Sequence, residues 1–289
     1  MSDADSPSGS PGTSAGAGAS RFVARVVRGL LGAKPDFLVI GAQKGGTTSL
    51  YAYLCRHPDV VPARTKEIQY FSEHFARGPS WYRGHFPALV AREPGRLLGA
   101  GRLRTGEATP YYLFHPHAPR RVRAALPGVK LIALLRNPID RAYSHHRYHT
   151  VLGDETQGFE DAIAAEPVRL AGELEKMRAD EGHVSDAYRN FSYLARGLYA
   201  EQLERWLAHF PREQLLVLQS ERFFADPAHG TRRVLRFLDL PPHELDAYEA
   251  ANVGRYEGMS PATRARLADY YREPNERLYA LLGERFDWE

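Results

Sequence analysis

"FLVIGAQKGGTTSLYAYL", residues 37–54, places an unbroken apolar run, Phe37 to Ile40, ahead of a glycine-rich turn that opens into residues with helical spacing. A buried strand, a turn and a helix start in that order aim several backbone N–H groups, and the positive helix end, at one point. Gly41, Gly45 and Gly46 let a ligand approach the backbone without meeting a Cβ. Thr47 and Thr48 add hydroxyls in the first helical turn. The stretch reads as a phosphate cradle. In the ATPase pattern Gly-x-x-x-x-Gly-Lys-Ser/Thr the lysine follows the last glycine. Here Lys44 precedes the glycine pair, and that shift points away from ATP.

Working outward, residues 35–289 show no linker and no repeat and read as one domain. Apolar runs at 37–40, 131–135 and 215–218 have the length and continuity of buried parallel strands. Helical spacing predicts helices over 47–56, 138–151, 159–178, 190–209, 228–238 and 261–282. This alternation implies an α/β, P-loop-like three-layer fold, with a central parallel β-sheet flanked by helices. Segments 60–72 and 104–112 fit short strands or loops at the carboxyl edge of that sheet, where α/β proteins place their chemistry.

With 289 residues, 43% of them hydrophobic and 25% charged, the chain can bury a sizeable core. A net charge of +3 favours anionic ligands slightly and falls short of a nucleic-acid footprint. The single cysteine, Cys55, excludes an internal disulfide framework and fits a reducing, cytoplasmic setting. No apolar run reaches the length of about 18 residues that suggests a membrane span. Residues 1–20, rich in Ser, Gly, Ala and Pro, are predicted to be a disordered tail. Residues 21–34 read as a short amphipathic helix or linker. Arg21, Arg25 and Arg28 share one face of it, suited to docking on the domain or to lying on a membrane surface.

A second anion motif follows in "KLIALLRNPIDRAYSHHRYH" (130–149). The strand ends at Arg136; Asn137 stands as N-cap, Pro138 as first helical residue and Asp140 as a first-turn acid. Arg136 and Ser144 suit a phosphate dianion. By themselves they fit a structural ion pair and a solvated serine equally well. No acid stands at the strand end to hold Mg²⁺, so no metal is expected.

"GAQKGGTTSLYAYLCRHPDV" (41–60) resembles the 5′-phosphosulfate loop of sulfotransferases that use 3′-phosphoadenosine 5′-phosphosulfate (PAPS). The likeness is greatest to the heparan sulfate N- and 3-O-sulfotransferase group and runs from about residue 36 to the C-terminus. It implies PAPS as co-substrate, cradled by Gly45, Gly46, Thr47 and Thr48, with Lys44 reaching the bridging and sulfuryl oxygens. It makes Arg136 and Ser144 the 3′-phosphate pair. In "ANVGRYEGMS" (251–260), Gly254 and Arg255 match a Lys-Gly-Arg loop over the nucleotide, with Val253 where the family has lysine. It also assigns the catalytic base to Glu67 in "TKEIQYF" (65–71), which on its own reads more readily as a surface glutamate paired to Lys66 than as a partly buried base. Two departures stand out. Ala108, in "EATP" (107–110), occupies the place of a family lysine near the sulfuryl group, and Lys66 or a nearby arginine is the candidate substitute. The lone cysteine cannot form the animal enzymes' disulfide loop, which leaves room for an acceptor other than heparan sulfate.

The resulting expectation is sulfuryl transfer from PAPS to a hydroxyl of a carbohydrate or glycosylated natural product. The rivals are a P-loop kinase and a non-catalytic nucleotide- or glycan-binding module. The oligomeric state is left open. His145 and His149 have the spacing of a metal pair on a helix already given an anion role. Arg120, Arg121 and Arg123 read as a solvated helix face, and Tyr111, Tyr112 and Trp81 as core. His74 and His115 are the next candidate bases after Glu67.

Overall fold

A computed structural model describes residues 31–88, 103–249 and 259–288. The readings made for residues 1–20, for most of 21–34, and for Gly254 and Arg255 lie outside the described residues. Five strands, β1 (Phe37–Gly41), β2 (Val60–Pro62), β3 (Arg104–Ala108), β4 (Lys130–Leu135) and β5 (Leu215–Gln219), form one sheet in the order β2-β3-β1-β4-β5. Every neighbouring pair is parallel, with Phe37 opposite both Gly106 and Lys130, and Leu131 opposite Leu215. The three apolar runs are β1, β4 and β5. The two segments without a clear pattern supply β2 and β3.

Helices α1 (Thr47–Cys55), α2 (Gly78–Arg83), α3 (Ala118–Ala125), α4 (Pro138–Leu152), α5 (Phe159–Leu170) and α6 (Glu173–Ala179) come from the first two thirds of the chain. After them come α7 (Asp186–Asn190), α8 (Tyr199–Leu207), α9 (Ser220–Ala225), α10 (Pro227–Phe237) and α11 (Pro261–Leu282). Side chains alternate across a strand. Leu38, Ile40, Leu131, Ala133 and Leu135 therefore pack with α2, α3, α8 and α11 on one face. Phe37, Val39, Ile132 and Leu134 pack with α1 and α10 on the other. The expected three layers are the layers observed. No helix among the described residues is long and apolar enough to cross a membrane.

Two helices are shorter than their spacing predicts. The stretch 159–178 divides into α5 and α6 at Gly172, whose left-handed backbone (φ 74°) ends the helical path. In 190–209 the regular helix begins only at Tyr199. The buried carboxylate of Glu166 accepts hydrogen bonds from the N–H groups of Leu194 (2.6 Å) and Ala195 (2.8 Å). Those donors are thereby withdrawn from a helical ladder, leaving a 3₁₀ turn at Ala195–Gly197. That turn has consequences for the site, because it carries Arg196.

Candidate active site

The carboxyl ends of β1 and β4 lie side by side, and the two anion motifs grow from them. After β1 the loop is folded tightly: Ala42 N–H donates to Leu134 O and Gly45 N–H to Ala42 O, both at 2.9 Å. Gly45 passes so near β4 that a Cβ there would stand 2.4 Å from Leu134 O. Gly46 is left-handed (φ 93°), and a Cβ on it would meet the Phe224 ring at 2.3 Å. Ser220 Oγ donates to Gly45 O at 2.9 Å from beneath β5's end. The glycines thus serve loop packing as well as ligand approach. Gly46→Ala should destabilise the fold by about 2–4 kcal/mol, through backbone strain and overpacking. Urea denaturation checks this, and an unchanged midpoint would refute it.

No side chain caps α1 and no acid occupies its first turn, so its N-terminal N–H groups and dipole face outward for an anion. Thr47 is buried and Thr48 half-buried there. Lys44, half-buried and itself left-handed (φ 67°), holds its Nζ 4.6 Å from the Tyr148 ring centroid. Arg136 Nη1 donates to Lys44 O at 3.3 Å, joining the second motif to the first. Burial, then the Arg136 charge, hold the Lys44 ammonium below its ordinary value, while Glu67 acts the other way. An arriving anion reverses this destabilisation, so the loop is electrostatically primed for a phosphate or phosphosulfate.

Asn137 caps α4 as expected, accepting from Ile139 N–H at 3.0 Å. Ser144 is buried within α4, and no hydrogen bond joins it to Arg136 among the described residues. The structure therefore brings Lys44, Gly45, Gly46, Thr47, Thr48 and Arg136 together, and leaves Ser144 on the adjoining helix.

Glu67 follows β2 and is pinned to the carboxyl end of β3 by its N–H, which donates to Ala108 O at 3.0 Å. Its backbone is left-handed (φ 58°), as is that of Gln69 (φ 57°). The side chain is not buried as a hydrophobic context would suggest: it is 47% exposed, with Lys66 Nζ 2.5 Å from Oε1. Lys66 is thus the cation nearest Glu67. Ala108, at the place of the family lysine, packs in the core with Phe37, Val39 and Leu50.

Sequence reasoning gave Glu107 no role, yet it anchors this loop. Its fully buried carboxylate accepts from Tyr82 OH (2.7 Å), Thr109 Oγ1 (2.7 Å) and Tyr112 OH (3.1 Å). The Ile68 N–H also points to it. A charged residue between two buried strand positions was the available signal. Burial holds this carboxyl above its ordinary value, with the hydrogen bonds from Tyr82, Thr109 and Tyr112 opposing. Such a group contributes stability below its unfolded value of about 4.3 and loses it as pH rises through the folded value. Glu107→Gln should flatten that part of the pH–stability curve. Glu107→Ala leaves buried hydroxyls without an acceptor and should cost about 2–4 kcal/mol. Thermal melts from about pH 4 to about pH 8 test both; a melting temperature unmoved by Glu107→Ala would exclude the anchoring role.

Beside Lys44 and Glu67 lies a cavity of about 280 Å³, lined in part by Gln43, Tyr111, Tyr148, His149 and Arg196. Arg196 had no distinguishing signal in the sequence. It is buried, hydrogen-bonds Gln43 of the loop and Arg189 O, and stacks on Tyr111 and Phe114 at 4.8 and 5.0 Å. Burial lowers its guanidinium to about 10. His145 packs against His149 and Tyr193, and burial with the nearby Arg196 and Arg141 keeps it neutral. His149 Nδ1 pairs with Asp154 at 3.0 Å. Among the described residues no group of His, Cys, Asp and Glu is arranged to hold a metal.

Other readings resolve as follows. Tyr112 and Trp81 are core; Tyr111 is buried yet lines the cavity. Arg120 is exposed, but Arg121 is buried against Phe71 O and Ser72 O, so that face is not wholly solvated. A larger hollow of about 620 Å³ lies around Asp36, Arg104 and Lys130, at the amino ends of the strands. It is remote from the loop, at the end where α/β sheets do not place their ligands.

Residues 34–253 match the family model of the sulfotransferase domain. The chain is 31% identical to heparan sulfate glucosamine 3-O-sulfotransferase 3A1 of Mus musculus, over 95% of this chain and 71% of that protein. It is also 31% identical to bifunctional heparan sulfate N-deacetylase/N-sulfotransferase 3 of Homo sapiens, over 86% of this chain and 30% of that protein's length. Among solved structures, a sulfotransferase from Alicyclobacillus acidocaldarius superposes with a TM-score of 0.65 at 30% identity, over 88% of this chain and 98% of that one.

Proposed function

The chain belongs to the sulfotransferase domain family, and from that premise we propose that it moves the sulfuryl group of PAPS to a hydroxyl of a carbohydrate or glycosylated small molecule. The observation that carries this is the junction of Lys44 with Arg136 at an uncapped helix start, with Glu67 across the adjoining cavity. The donor's 5′-phosphosulfate takes the loop N–H groups, Thr47, Thr48 and Lys44. Its 3′-phosphate takes Arg136 and Ser144, and the family likeness adds Gly254 and Arg255 as nucleotide-binding residues.

Transfer is an in-line displacement. The acceptor oxygen bonds to sulfur as the bond from sulfur to the bridging oxygen breaks. Negative charge builds on that oxygen and is met by Lys44. The acceptor's proton passes to Glu67, and the products are a sulfate ester and 3′-phosphoadenosine 5′-phosphate (PAP). Lys66, 2.5 Å from Oε1, holds Glu67 close to the loop until the acceptor arrives, and stands in for the cation absent at Ala108. No metal enters this scheme.

Incubating the protein with ³⁵S-labelled PAPS and a panel of hydroxylated acceptors tests the reading. Label should appear in acceptor without added divalent metal. PAP binding without transfer to any acceptor in the panel would support a non-catalytic nucleotide-binding role instead.

A further inference from the structure

We propose that the acceptor is a neutral, hydroxyl-rich group joined to an apolar portion, and that the apolar portion lies along the carboxyl end of α4. The proposal takes sulfuryl transfer to a hydroxyl as given and adds the acceptor's chemical class.

Charge comes first. The charged residues lining the cavity are Glu67, Asp154, Arg189 and Arg196, which cancel. Each is already engaged: Glu67 pairs with Lys66 at 2.5 Å and Arg189 with Glu73 at 2.9 Å, while Asp154 is hydrogen-bonded to the neutral His149 at 3.0 Å. Arg196 is held by Gln43 and by main-chain carbonyls. A polyanionic acceptor needs a surplus of cations along its path, and this cavity has none to spare. Carboxamides suit a polyol, whose hydroxyls both donate and accept. Gln43 and Gln69 have their oxygens engaged, by Arg196 and by Ser72 Oγ at 2.8 Å, which leaves their NH₂ groups as donors. The rings of Tyr111 and Tyr148 supply apolar faces in the same cavity.

The second observation is independent of charge. Tyr148 (42% exposed), Val151 (79%) and Leu152 (55%) stand at i, i+3 and i+4 on α4 and share one helical face. Tyr148 and Leu152 line the cavity, so the stripe starts inside it and runs out to solvent through Val151. A single exposed leucine needs no explanation. Three apolar side chains leading out of the cavity that holds the base form a continuous path for an apolar substituent. Lys44 over the Tyr148 ring fixes the inner end of that path beside the reacting sulfur's cradle.

The test uses the full chain with three acceptors: methyl β-glucoside, octyl β-glucoside below its micelle concentration, and a uronate-containing oligosaccharide. Binding is measured by calorimetry in the presence of PAP, and transfer is measured from ³⁵S-labelled PAPS. The octyl compound should exceed the methyl compound by about tenfold in kcat/KM, as burial of some 50–60 Å² of apolar surface would produce. The uronate oligosaccharide should do no better than the methyl compound. Val151→Ser with Leu152→Ser should bring the octyl-to-methyl ratio close to one; both side chains are exposed enough for the fold to tolerate the change. Equal octyl and methyl values, preference for the uronate, or an octyl advantage that survives the double substitution would each overturn the proposal. So would sedimentation showing a dimer that the double substitution dissociates, since the stripe would then belong to a second copy. Failure to bind PAP at all would instead strike the donor assignment, and calorimetry with PAP alone separates that case.

Discussion

Glu67→Gln should lower kcat and kcat/KM together by about 10²–10⁴-fold, the usual contribution of a general base, while leaving PAP affinity unchanged. The substitution keeps the shape of the side chain and removes the proton acceptor. Affinity should hold because Glu67 is placed by β3, through Ala108 O, and not by the phosphate loop. Its charge reaches the loop only as a modest favourable influence on Lys44. Steady-state kinetics with saturating PAPS decide the matter, together with PAP calorimetry. Retention of more than about a tenth of wild-type kcat would move the base elsewhere. The structure then redirects the search. His115 is buried and held down to about 3 by that burial and by Arg121, and neither it nor His74 lines the cavity. His149 does, with its imidazole oriented by Asp154 and kept neutral chiefly by burial.

Lys44→Ala and Arg136→Ala should each weaken PAP binding by about 1.5–3 kcal/mol, the range for hydrogen bonds to charged groups. Lys44→Ala should in addition lower kcat, because its ammonium faces charge that develops on the bridging oxygen during transfer. The two effects should not simply add in the double variant. Arg136 donates to Lys44 O and its charge lowers the Lys44 pKa, so removing either changes the other's surroundings. Lys44 also gives the binding a pH signature. A cation with a lowered pKa loses its charge earlier as pH rises, so PAP affinity should begin to decline below the ordinary lysine value of about 10.4. The decline should be smaller in Lys44→Ala. Calorimetry at several pH values reads all of this, and unchanged affinity in both single variants would exclude the loop as the donor site.

Much of the site was legible because its chemistry is local. A strand, three glycines, a lysine and two threonines within a dozen positions carry the pattern of an anion cradle in adjacent residues. The Asn137-Pro138 helix start is likewise a property of adjacent residues. Glu67 was singled out as a base only through its family resemblance; of its two local readings, the exposed glutamate paired to Lys66 is the one observed. Arg196 could not be read at all, and Glu107 showed only as a charged residue between two buried strand positions. What defines Glu107 is convergence of Tyr82, Thr109 and Tyr112 on one buried carboxylate, from a helix between β2 and β3, from just past β3's end and from the following 3₁₀ turn. What defines Arg196 is the 3₁₀ turn that Glu166 imposes from α5.

By itself the sequence determined the α/β class, the parallel strands with apolar runs, and the two anion motifs, because periodicity and turn chemistry are written in neighbouring residues. Only the tertiary structure decided that β3, with its Thr, Gly and Glu, is an interior strand: Gly106 makes room for the Phe37 ring, and partners distant in sequence satisfy Thr105 and Glu107. It also decided which polar groups share a cavity with Lys44. Burying a charge is tolerated only where distant groups happen to answer it, and no local pattern records where those groups will meet.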